Sequence, residues 1–179
     1  MKKGTTQTHL GRNLNGLMHE RNPYKTKKPD FKNLATEFEE FRSVVKPNLS
    51  GKIQVDFRDR ESTRILTQTL LKKDFDLDVA IPKGTLVPTL PLRFNYLLWI
   101  EDMMNDNGIA KDDICGLDIG VGASCIYAIL GVRHFKWRML GTESSPENFQ
   151  TALENVRRNQ LDIRLFKTAS ADNLFRPVF

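Results

Sequence analysis

The chain has 179 residues, 40% hydrophobic and 27% charged, which suffices for the core of one domain with an extension. No apolar run approaches the length of a bilayer span, and Lys2 and Lys3 have no apolar segment behind them, so neither a spanning helix nor a signal peptide is expected. The net charge is +5, and residues 1–30 hold seven Lys or Arg against Glu20 and Asp30, so this arm carries the whole excess.

Residues 1–17 are rich in Gly, Thr, Asn and Gln and are expected to form a disordered tail. From Met18 to Phe31 the texture changes. Arg21, Lys25, Lys27 and Lys28 alternate with Tyr24 and Phe31, and Pro23 and Pro29 interrupt any helix. Cations neutralise phosphates and aromatics stack on bases, a pairing that suits RNA more than duplex DNA. Asp30 reads as a helix cap, and Leu34, Phe38, Phe41 and Val45 fall on one face of a helix that should end before Pro47. A turn at Asn48–Gly51 leads to a strand in which Ile53, Val55 and Phe57 alternate with polar residues. A second helix follows Asp59, with Ile65, Leu66, Thr69 and Leu70 inward. Pro82, Pro88 and Pro91 imply extended segments, and a helix over 92–104 then carries Arg93 at its head. A guanidinium placed there among apolar neighbours can meet a carboxylate with two parallel hydrogen bonds. Residues 18–110 therefore read as a basic, mostly helical module and 111–179 as the start of an α/β domain.

That α/β domain opens on a strand, Ile114–Ile119, followed by Gly120, Val121, Gly122, Ala123 and Ser124. Two glycines one residue apart permit a tight turn and let a ligand approach backbone, while the next helix offers free N–H groups. Nicotinamide and flavin sites use the same layout, but their third small residue would fall on Cys125. A helix over 123–130 and a second strand over 137–142 follow. Glu143 at that strand's end lies near the ~20-residue offset at which an acid binds ribose hydroxyls. Ser145-Pro146-Glu147 starts a helix with Phe149, Ala152, Leu153 and Val156 inward, and a third strand runs over 163–166. Cys115 and Cys125 are expected to be a reduced, buried pair, and no His lies at zinc-binding spacing from them.

Asp118-Ile119-Gly120-Val121-Gly122 after an apolar strand resembles the first motif of class I S-adenosylmethionine-dependent methyltransferases. Four longer runs sharpen this: Met18-His19 through Phe31, Leu70 through Ile81, Leu86 through Tyr96, and Gly116 through Tyr127. Together they resemble the N-terminal part of the methyltransferase-like protein sixteen family, whose members methylate the exocyclic amine of adenosine in structured RNA, a spliceosomal small nuclear RNA among them. The resemblance implies an α/β fold, a partial class I (Rossmann-like) doubly wound sheet after a helical RNA-binding module, with S-adenosyl-L-methionine as cofactor. It implies that Arg93 meets the cofactor's carboxylate, that Asp118, Gly120, Gly122 and Ser124 line its turn, that Glu143 binds its ribose, and that Thr168 lies near its adenine. RNA contacts are implied for Lys28, Pro29, Asp30, Phe31 and Arg58, with Arg21 and Lys25 beside them and Lys167 in a loop that adjusts cofactor access.

The family's catalytic run, Asn-Pro-Pro-Phe, does not occur in this sequence. No catalytic residue is therefore assigned, and the sequence reads as a fragment, a truncated gene model or a splice product. A sheet stopping after three strands would leave its first strand as an apolar edge. The expected partner is structured RNA, with no metal and no membrane, acting as a monomer in the nucleus and to some extent the cytoplasm. The alternative is a catalytically inactive RNA-binding isoform.

Overall fold

The computed structural model describes residues 14–168. Most of the expected tail lies outside these residues, and its last four, Leu14–Leu17, form a 3-10 turn. The arm after it is also more ordered than its prolines suggest. Asn22 caps a short helix α1 (Pro23–Thr26) by accepting the Tyr24 N–H at 3.0 Å. Pro23 sits in the first turn, where its missing N–H costs nothing. Asn22 also donates to the Pro91 carbonyl at 3.0 Å, and His19 Nε2 lies 2.5 Å from Asp102 Oδ2. The arm is thus fastened to a helix more than sixty residues away.

Asp30 caps α2 (Phe31–Glu37) by accepting the N–H groups of Lys32 and Asn33. The single amphipathic helix expected here is instead two, α2 and α3 (Glu39–Val44), separated by Phe38 with φ −119° and ψ 111°. Phe38 closes the first and opens the second, and the bend lets both Leu34 and Phe41 bury fully. A small antiparallel hairpin follows, β1 (Lys46–Pro47) with β2 (Ile53–Gln54). The expected strand over 53–57 stops early, and Phe57 is left exposed. Next come α4 (Arg60–Phe75), capped by Asp59, and α5 (Leu90–Asp106).

The sheet is β3 (Cys115–Ile119), β4 (Arg138–Glu143) and β5 (Ile163–Lys167), all parallel, in the order β3-β4-β5. The first crossover is α6 (Ile126–Leu130), prolonged by an unforeseen π-helical turn over Gly131–Phe135. The second is α7 (Pro146–Arg158), capped as expected by Ser145. Parallel strands with helical crossovers put all strand tips on one side, so Ile119 pairs with Thr142 and Glu143 with Lys167 at the same sheet edge. Among the described residues β3 has a neighbour on one side alone, and its Ile119 is 48% exposed.

Two expectations fail here. Cys115 is exposed on the edge strand, and Cys125 alone is buried, so the cysteines are not a buried pair. On α7 the deeply buried positions are Ala152, Val156, Asn155 and Asn159, while Phe149 and Leu153 are half-buried. A single cluster of buried side chains runs from Tyr24 through Phe94 and Ile129 to Ile163, so arm, helices and sheet share one core.

Candidate functional site

The turn after β3 is built by its backbone angles. Gly120 has φ +74° and Gly122 φ +63°, a region closed to most side chains, and Cys125 enters α6 at φ +49°. The N–H groups of Gly120 and Val121 both donate to the Thr142 carbonyl at 2.9 Å, which folds the turn back over the tip of β4. Gly141 on β4 makes room for this. A Cβ there would lie 2.5 Å from Val121 Cγ1 and 2.8 Å from Leu165 Cδ2.

Glu143 ends β4 and is 7% exposed. Its Oε2 accepts the Gly122 N–H at 2.8 Å, and its Oε1 accepts the N–H groups of Ser144 and Ser145 at 2.9 and 2.8 Å. A carboxylate offers about four lone-pair positions, so three are filled by backbone and about one, on Oε2, remains. Asp118 faces the same region. Burial first, and the Glu143 charge second, push its carboxyl up to about 6. Its Oδ2 is buried without a hydrogen-bond partner among the described residues. Burial, with the nearby acids, also drives the Cys125 thiol upward, so it stays protonated and inert.

A cavity of about 440 Å³ opens over the turn, lined by Asp118, Gly120, Gly122, Ser124, Arg93 and Tyr127, together with Gly84–Leu86 and Pro88. Arg93 donates to the Tyr127 hydroxyl at 2.8 Å, and its guanidinium lies 5.4 Å from that ring's centre. Five residues expected at a cofactor site, Arg93, Asp118, Gly120, Gly122 and Ser124, therefore meet in one cavity. Glu143 and Thr168 do not line it. Thr168 is buried beside Glu143, donating its N–H to the Glu143 carbonyl at 3.0 Å, and its hydroxyl has no partner among the described residues.

The basic arm forms a second region. Arg21 is held by Glu101 and Asp102, and Lys25 by Glu20. Lys27, Lys28, Pro29 and Asp30 border a groove of about 710 Å³ that also reaches Lys73 and His134. Phe31 packs at 6.0 Å from Phe41 and 6.4 Å from Phe57, so it is half-buried rather than a free stacking face. Arg58 is exposed, and Lys167 is exposed at the tip of β5 near Glu147, whose carboxyl is held low first by backbone hydrogen bonding. Tyr127, Asn148 and the 84–88 segment were missed from the sequence. Tyr127 lies inside the resembling run but carries no charge to mark it.

A parallel sheet whose first strand ends in a two-glycine turn, held by an acid at the tip of the second, defines the cofactor end of a class I methyltransferase fold. Residues 12–178 match the profile of a family described as RNA methyltransferase, and the chain belongs to that family. It is 49% identical over 144 residues to the U6 small nuclear RNA (adenine-(43)-N(6))-methyltransferase of Caenorhabditis briggsae, covering 80% of this chain and 30% of the relative. It is similar to the crystal structure of the N-terminal domain of human METTL16 in complex with SAH, with a TM-score of 0.83, 41% identity, and 90% and 63% of the two chains covered. It is also similar to the human catalytic domain in complex with a MAT2A 3'UTR hairpin, with a TM-score of 0.79, 42% identity, and 86% and 52% covered. The chain thus spans under a third of the length of the worm relative.

Proposed function

We propose that this chain supplies the cofactor-binding part of an S-adenosylmethionine-dependent RNA adenosine N(6)-methyltransferase acting on structured RNA, such as a spliceosomal small nuclear RNA. One observation carries the reading: Arg93, Asp118, Gly120, Gly122 and Ser124, from elements far apart in sequence, converge on one cavity. Its volume of about 440 Å³ suits a nucleoside-sized ligand. The donors also fit the cofactor chemically. Arg93 offers a guanidinium for a carboxylate, and the buried, unpartnered Oδ2 of Asp118 offers an acceptor for an ammonium. Glu143 does not line this cavity but holds its turn through the Gly122 N–H, and we assign its one remaining lone-pair position to one ribose hydroxyl, a second requiring the Gly122 bond to open. When bound, the cofactor supplies an electrophilic methyl group. The residues named here bind and orient it, and none of them is assigned as a catalytic residue.

The activities in the relatives' names, and the human domain's complexes with SAH and with an RNA hairpin, support this reading. For RNA, the support is the exposed cation Lys28 beside Pro29, Asp30 and Phe31, the exposed Arg58 next in sequence to Phe57, which packs on Phe31, and Lys167 at the strand tips. Arg21 and Lys25 contribute to the same positive field while paired to acids. The working form is a monomer residing in the nucleus, the basic arm serving as the address. No helix among the described residues is long and apolar enough to cross a membrane.

The second reading, RNA binding without methyl transfer, draws on the exposed cations Lys27, Lys28 and Arg58 of the N-terminal module. Titration of the chain with S-adenosylhomocysteine, followed by Trp99 and Trp137 fluorescence, separates the two. Saturable quenching by that product and not by NADH is the expected result, and RNA binding with no response to it would favour the second reading. Fluorescence imaging of the tagged chain in cells tests the address, and an exclusively cytoplasmic signal would refute it.

A further inference from the structure

Asn155 sits in the last turn of α7, is 0% exposed, and uses every hydrogen-bonding position of its amide. Its Oδ1 accepts the Ala80 N–H at 2.7 Å and an Arg158 guanidinium N–H at 3.2 Å. Its Nδ2 donates to the Ala80 carbonyl at 2.9 Å and to the Ala123 carbonyl at 3.0 Å. One turn later Asn159 grips the same extended segment at Asp78, accepting its N–H and donating to its carbonyl, both at 2.7 Å. The spacing explains the match, because residues four apart on a helix stand over residues two apart on an extended chain. Asn159 spends its other donor on the carbonyl of Asn155, inside its own helix. Asn155 spends it on the glycine turn.

That difference ties Asn155 to two parts of the chain that reach the cavity. Ala123 lies in the turn that lines it, and Ala80 leads within a few residues into Gly84–Leu86 and Pro88, which also line it. The bond to Ala123 also fixes the plane of the 123–124 peptide, since a trans peptide sends its N–H opposite to its carbonyl. Ser124 follows directly, buried and on the cavity wall. We infer that Asn155 is a positioning residue for the cofactor site, one buried amide that ties the glycine turn to the segment leading into residues 84–88 of the lining. The inference rests on the cofactor reading given above.

The test compares Asn155→Ala with Asn159→Ala in the full 179-residue chain. Each removes the grip on the extended segment, but Asn155→Ala alone releases the turn. Expected for Asn155→Ala is S-adenosylhomocysteine affinity about tenfold weaker than wild type and faster amide exchange at residues 120–124. Asn159→Ala should lower the melting temperature comparably and leave both readouts near wild type. Equal effects of the two variants on affinity and on turn exchange would overturn the inference. Asn155→Ser provides a second variant, and failure of both Asn155 variants to fold while Asn159→Ala folds would assign the amide to global stability and likewise overturn it. Absence of product binding by wild type would refute the cofactor reading alone, and the exchange of residues 120–124 would still decide the role of Asn155.

Discussion

The Glu143 carboxylate accepts the Gly122 N–H at 2.8 Å, tying the tip of β4 to the turn that leaves β3. One side chain is thereby both a ligand candidate and a strut of the turn on which the ligand would rest. Glu143→Ala is expected to lose three charge-assisted bonds to backbone, costing about 1–3 kcal/mol of stability, and to weaken S-adenosylhomocysteine binding at least about tenfold. Glu143→Gln is the conservative variant. Its amide nitrogen cannot accept the N–H groups that one of the carboxylate oxygens now takes, so both stability and affinity should fall, less steeply. Unchanged product binding by Glu143→Ala in calorimetry would sink the ribose assignment.

Asp118 makes the site sensitive to pH. Its ordinary value is 3.8, and burial beside Glu143 raises it to about 6, so between these values the folded chain holds a proton that the unfolded chain has lost. Stability therefore falls as pH rises from about 4 to about 6 and is level above that, with a total on the order of 3 kcal/mol. Asp118→Asn removes the titration. It is expected to flatten urea-melt stability across this window and to raise stability at pH 7.5, while weakening product binding through loss of the charge. A variant with the wild-type pH slope would show that another group titrates there.

Much of this was legible because it is local. Ser145-Pro146, Asp30 and Asp59 fix helix starts through their own backbone bonds, and the interval between Gly120 and Glu143 reflects one strand–helix–strand unit. What stayed hidden depends on contacts far along the chain. Arg21 reads as a free cation until α5 brings Glu101 and Asp102 against it. Phe38 reads as one more apolar position at helical spacing, yet the core needs both Leu34 and Phe41, and the chain bends there. Cys115 reads as buried from its apolar neighbours, yet among the described residues β3 pairs on one side alone and the thiol is exposed. Asn155 and Asn159 did leave a signal, two amides four residues apart on the face that buries Ala152 and Val156. A polar pair on an apolar face requires hydrogen-bond partners, and here they come from residues 78–80.

Gly141 tests the packing under the turn. A Cβ added there meets Val121 Cγ1 and Leu165 Cδ2 well inside van der Waals contact, both from side chains pressed by neighbouring strands. Gly141→Ala should cost about 1–3 kcal/mol through overpacking and should displace Val121, whose N–H anchors the turn on Thr142. Thermal unfolding gives the first quantity and product affinity the second. A variant with wild-type values in both would mean that Val121 and Leu165 yield at no cost.

Arg93 tests which end of the cofactor enters the wall beside α5. Its guanidinium is held by the Tyr127 hydroxyl at 2.8 Å and by the ring face, leaving its remaining N–H groups for the cavity. Arg93→Lys keeps the charge but loses the planar fork, and about a tenfold loss of affinity for S-adenosylhomocysteine is expected, with adenosine affinity unchanged. Equal losses for both ligands would move Arg93 away from the carboxylate end.

Lys28 and Arg58 test the RNA surface without disturbing the fold, since both are exposed and the structure gives neither an ion pair among the described residues. Lys28→Glu and Arg58→Glu should each change stability by less than about 0.5 kcal/mol and weaken binding to a hairpin RNA. Each should also reduce the slope of log affinity against log salt by about 1, the signature of one lost phosphate contact. Arg21→Ala makes the contrast. It breaks the pairs with Glu101 and Asp102 that fasten the arm to α5, so its RNA defect should come with a lower melting temperature. Filter binding at several salt concentrations reads both effects, and a Lys28 or Arg58 variant with the wild-type slope would remove that residue from the interface.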